Sequence, residues 1–96
     1  MKHYVHLKFQ PCSEKSDLLV SIENALEQAR STIEGFSRYE ILKAKEWSEE
    51  HPRLMLVLEF AHTAALKNYL EHSLHTVLLN TVKPYLVDKA IFDGLI

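Results

Sequence analysis

Apolar and polar side chains alternate at the start of the chain. From Lys2 to Gln10, His3, Val5, Leu7 and Phe9 fall on one side and Tyr4, His6 and Lys8 on the other, and Pro11 ends the run. That period of two predicts a strand. From Glu14 to Glu34 the period changes: Leu18, Leu19, Ile22, Ala25, Leu26, Ala29 and Ile33 recur every three or four residues. The spacing predicts an amphipathic helix of about five to six turns. Ser13 or Ser16 is its expected N-cap, and Gly35 its stop.

Phe36 to Lys45 places Phe36, Tyr39, Ile41 and Leu42 among charges and predicts a second strand near a sheet edge, where Lys and Arg tolerate water. The polar stretch Glu46 to Pro52 predicts a hairpin loop. Leu54 to Leu58 is an unbroken apolar run, too short for an ordinary helix and suited to a strand buried on both faces. Thr63 is the expected N-cap of a helix from Ala64 to about Glu71, and Ser73 starts a second helical piece to about Asn80. Lys83 and Pro84 interrupt the pattern, and Val87 to Ile96 predicts a last strand.

Strand, helix, strand, strand, helix, strand is the order of the ferredoxin-like split βαβ fold, an α+β domain with a four-stranded antiparallel sheet and helices on one face. The third strand is apolar toward both faces, so the uncovered face needs a second apolar surface. A second copy of the same sheet supplies one, which predicts a homodimer.

Composition narrows the classes. Ninety-six residues, 47% apolar and 25% charged, predict one domain spanning 1–96. A net charge of −2 with scattered Lys and Arg gives no basic stripe for nucleic acid. Lys, His and Gln interrupt the N-terminus and no apolar run reaches the length of a membrane span, so the expectation is a cytoplasmic protein with no membrane partner. The single cysteine, Cys12, follows a strand in a polar loop with no adjacent base, and is not read as a nucleophile.

The six histidines carry the candidate chemistry. His51 and His62 fall in expected loops and read as solvated groups. His3 and His6, three apart on a strand, point to opposite faces and cannot share a metal ion. His72 and His75, three apart on a helix, would share a face, but two ligands fall short of the set that zinc requires. No metal and no cofactor is expected. Tyr69, His72 and His75 either decorate a helix surface or line a cleft between helix and sheet.

The segments Lys2-His3-Tyr4-Val5-His6-Leu7-Lys8-Phe9, Tyr69-Leu70-Glu71-His72-Ser73-Leu74-His75 and Lys89-Ala90-Ile91-Phe92-Asp93 together resemble the stress-responsive A/B barrel family of dimeric α+β barrels. The resemblance covers the whole chain and implies a sheet-to-sheet dimer. It implies less about reaction, since few members have an assigned activity. By similarity to a polyketide cyclase of that family, olivetolic acid cyclase, His75 would be a general base, Asp93 the carboxylate that steadies it, Tyr69 a substrate-positioning phenol and His3 a pocket residue. Leu54 stands where that cyclase has a second pocket histidine, and Ser73 where the family usually has proline. The reading that follows is a dimeric protein binding a small, mostly apolar ligand, with His3, His72 and Leu54 as ligand contacts, in a stress response and without established catalysis. One alternative is a cyclase or lyase with His75 as base on a carbonyl-containing substrate. Another is a monooxygenase on the same barrel.

Overall fold

In the computed structural model, which describes residues 1–11, 15–48 and 50–95, four strands form one antiparallel sheet under three helices. The elements run β1 (Lys2–Phe9), α1 (Lys15–Thr32), β2 (Phe36–Lys43), β3 (Arg53–Phe60), α2 (Thr63–Glu71), α3 (Ser73–Val82), a short 3-10 turn (Lys83–Tyr85) and β4 (Leu86–Gly94). The sheet order is β2-β3-β1-β4, the ferredoxin-like arrangement, with β2 at an edge as its charges predict. Cys12 and Ser13 lie outside the described residues. Ser16 sits inside α1, one residue past its start, so it is not the cap the sequence suggested.

Alternation decides which side chains form the core. On β1, His3, Leu7 and Phe9 are buried beneath the helices, and Leu54, Leu56, Leu58 and Phe60 do the same from β3. They meet Leu18, Ile22, Leu26 and Ala29 from the inner stripe of α1, and Ala65, Leu66 and Tyr69 from α2. Removing such side chains from water is the main favourable term in folding. Gly35 makes the tight passage from α1 to β2. Its φ of +86° is the left-handed region, and a Cβ there would stand 2.6 Å from that of Ala65. A side chain would both strain the turn and push α2 off the sheet.

Two histidines set the ends of the second helical layer. Nδ1 of His62 accepts from the Ala65 N–H at 3.1 Å, so the N-cap of α2 is His62 and not Thr63. His72 has extended backbone (φ −79°, ψ 147°), which ends α2, and its Nδ1 accepts from the Leu74 N–H at 3.0 Å, which caps α3. The break therefore forms without proline: Ser73 begins a new helix because His72 supplies the missing acceptor.

The opposite face of the sheet carries no helix. From the strand registers it presents Tyr4 and His6 of β1, Met55 and Val57 of β3, Leu42 of β2 and Ala90 and Phe92 of β4. Phe92 is 68% exposed and Leu42 49%. Charged residues sit at both ends of this apolar band, Arg38, Glu59 and Lys2 at one and Lys8, Arg53 and Asp88 at the other, while Glu40 flanks Val57 on the edge strand β2. Arg38 bridges Glu40 at 2.9 Å and Glu59 at 3.5 Å.

Candidate functional site

The helical layer does not cover the whole inner face of the sheet. α3 packs beside α1, and the inward-facing residues of the edge strand β4, Lys89, Ile91 and Asp93, remain exposed, Ile91 by 53%. A cleft opens between α3 and β4. Its apolar walls include Val5, Leu56, Leu78, Leu79, Val82 and Ile91, and its polar lining is His3, Tyr69, His75 and Lys89. The free volume inside is about 30 Å³, room for roughly two water molecules. A larger guest requires the cleft to widen.

Strand β1 places His3 at the floor of this cleft, 2% exposed, because it shares a face with Val5 and Leu7. β4 runs antiparallel alongside and sets Asp93 directly opposite His3. The carboxylate oxygen Oδ1 of Asp93 bonds Nδ1 of His3. A carboxylate can only accept, so Nδ1 donates and Nε2 is left as the acceptor.

Tyr69 arrives from the last turn of α2, 2% exposed, among Phe36 and Phe60. Its ring lies edge-on to both imidazoles, with centroids 4.8 Å from His75 and 6.4 Å from His3. Burial alone raises its phenol well above the ordinary tyrosine value, so the hydroxyl keeps its proton and can donate. Nδ1 of His75 donates to the Leu70 carbonyl at 3.1 Å. Its imidazole is held below the usual histidine range, first by burial, with the Leu70 carbonyl opposing and the positive charge of Lys89 adding to the effect of burial. Among the described residues no fully buried side-chain nitrogen or oxygen lacks a hydrogen-bond partner. Nε2 of His3 and the Tyr69 hydroxyl make no protein hydrogen bond there, so both keep access to the cleft.

The sequence expectations divide here. His3, Tyr69 and His75 line one cleft, and Asp93 stands at its edge through His3. The expected Asp93–His75 pair does not form: Asp93 holds His3, and the partner of His75 is a backbone carbonyl. Asp93 is also not carried inward. It lies on the helix-side face, but its side chain is 43% exposed because the helical layer ends short of β4. His72 does not join His75, since the helix break turns its ring onto the start of α3 and toward Glu34 and Asn68. Leu54 is a core residue, 1% exposed, and the β3 side chain that reaches the cleft is Leu56. Lys89 went unnoticed in the sequence, although its even spacing from Ile91 and Asp93 puts it on their face. Among the described residues no group of three or more His, Cys, Asp or Glu side chains is placed to hold a metal ion.

A ferredoxin-like α+β sheet with a histidine-lined cleft under its second helical layer is the class of protein that fold and site define. More particularly, the chain belongs to the stress responsive A/B barrel domain family, whose sequence profile matches residues 1–94. Among solved structures it is similar to a dimeric protein of unknown function from Bacteroides fragilis, with TM-score 0.79 and 22% identity over 95% of this chain and 90% of that one. A dabb family protein from Mesorhizobium loti superimposes with TM-score 0.76 and 22% identity, covering 98% of this chain and 93% of that one. A putative antibiotic biosynthesis monooxygenase from Bacteroides thetaiotaomicron gives 0.76 and 13%, covering 99% and 87%. Identities this low establish a common fold. A comparison with proteins of curated function finds no match.

Proposed function

We propose that this protein is a homodimer, joined through the open faces of two sheets, that binds a small, mostly apolar molecule in the cleft between α3 and β4. The observation that carries the binding reading is the cleft itself: apolar walls, an opening along α3, and three hydrogen-bonding side chains gathered at one end. That is the usual composition of a small-molecule site. The dimer reading rests on the apolar band around Met55, Val57 and Phe92, with charges of both signs at each end, which suits a two-fold contact. The B. fragilis neighbour is described as dimeric.

A second reading, proton abstraction from a carbonyl-containing substrate, is favoured by the hydrogen bond from His75 to Leu70. It fixes the tautomer so that Nε2 can act as a base, and the depressed proton affinity keeps that base neutral near pH 7. The monooxygenase reading has support only from the names of neighbours with the same fold.

Titration of isotopically labelled protein with acetophenone, a small apolar carbonyl compound, tests the binding reading. Amide shifts that saturate and cluster on Val5, Leu79 and Ile91, and that vanish in Leu79→Trp, are expected. Shifts confined to Tyr4, Met55 and Phe92 on the other face would remove it.

A further inference from the structure

We propose that the His3–Asp93 pair is the proton-accepting end of the cleft, and that the molecule bound there carries a weakly acidic hydroxyl, a phenol or an enol. The inference rests on the cleft being a binding site and adds the chemistry of its occupant. Nδ1 of His3 gives its hydrogen to Asp93, and Nδ1 of His75 gives its hydrogen to the Leu70 carbonyl, so both rings turn an Nε2 lone pair outward. Tyr69 contributes a hydroxyl that burial keeps protonated. The cleft therefore offers two acceptors and one donor. A ketone or ester, which only accepts, satisfies Tyr69 and leaves both imidazoles unmatched. A hydroxyl compound donates to an imidazole and accepts from Tyr69 through the same oxygen.

Charge decides which imidazole takes the proton. At His3 an imidazolium would be in contact with a carboxylate. At His75 it would have only a carbonyl behind it and the positive charge of Lys89 acting against it. In the transfer the O–H bond of the ligand breaks and an N–H bond forms at Nε2 of His3. The electron pair stays on the ligand oxygen, which accepts from Tyr69, and Lys89 lines the same cleft. Asp93 matches the new imidazolium, so no co-reactant is required. Asp93 is a positioning residue in this scheme, acting on the ligand through His3.

The probe is 4-nitrophenol, whose phenol and phenolate forms absorb in separate bands, buffered on the acid side of its own ionisation. Its counterpart, 4-nitroanisole, has the same ring without the hydroxyl. The wild-type dimer is expected to bind the phenol about tenfold more tightly than the anisole, one hydrogen bond to a charged group being of that order, and to hold it as phenolate. Asp93→Asn, at a half-exposed edge position, should keep anisole binding and lose both the preference and the phenolate band. A probe that stays a phenol when bound, or a band that survives Asp93→Asn, overturns the proposal. If anisole binds with no preference for the phenol, the site stands and this inference alone fails. If neither probe binds, the binding reading falls with it.

Discussion

Asp93 reaches across one strand pair to Nδ1 of His3, while His75, the imidazole on the facing helix, turns to the carbonyl of Leu70. Each ring is thus oriented by a group of its own strand pair or helical layer. Losing the carboxylate leaves a buried ring nitrogen with no protein acceptor, which costs about 1–3 kcal/mol, with the lower end favoured because Asp93 is itself 43% exposed. Asp93→Ala should therefore lower the urea midpoint, and Asp93→Asn, which retains an acceptor oxygen, should lower it less. Equal midpoints for wild type and Asp93→Ala would show that the pair contributes nothing to stability.

The helix break is expected to depend on His72. Its ring accepts from the Leu74 N–H, and removing an N-cap acceptor costs roughly 1 kcal/mol. His72→Ala should lower stability by about that amount and speed hydrogen exchange through the first turn of α3, whereas His72→Asn should preserve both. An unchanged exchange pattern in His72→Ala would argue that the break is held by tertiary packing alone.

How far the fold could be read from the chain follows from such details. The period of two in β1 is a local consequence of one helix-covered face, and the apolar run Leu54 to Leu58 of a strand apolar toward both faces, so the sequence carries these strands and their inner face directly. His62 and His72 as caps were not legible, because a histidine caps only as the tautomer with a bare Nδ1, and nothing in the spacing specifies that. The partner of Asp93 was misread for a related reason: alternation fixes the face of a strand residue but not which of two imidazoles above that face lies within reach. Ser73 stands where the family usually has proline, and the cap at His72 supplies by hydrogen bonding what ring geometry would have supplied.

Acid should destabilise the protein partly through His75. Its proton affinity in the folded state lies below the ordinary value of 6.5, so the unfolded chain takes up the proton first. Above about pH 6.5 this group contributes no pH dependence. As the pH falls through that value it lowers folding stability progressively, and the loss levels off below the folded-state value. His75→Gln should show a smaller drop in urea midpoint than wild type between about pH 7.5 and about pH 5. An identical drop would place the acid sensitivity elsewhere, for example in the capping imidazoles, which cannot accept once protonated.

A charge placed on the open face should prevent pairing of two sheets. Met55 and Val57 both point away from the helices, in the middle of the apolar band. Burying an unpaired carboxylate there would cost several kcal/mol, enough to dissociate a modest dimer. Sedimentation equilibrium at micromolar concentration should give the mass of two chains for wild type and of one for Val57→Glu, with the far-UV spectrum unchanged. One-chain mass for the wild type would remove the dimer.

The cleft between α3 and β4 is tested most directly by a crystal structure of the protein grown with acetophenone. The account predicts the ring between Leu79 and Ile91, the carbonyl oxygen within hydrogen-bond distance of the Tyr69 hydroxyl, and α3 displaced outward to make room beyond the present 30 Å³. A closed cleft with acetophenone seated elsewhere on the protein would contradict it.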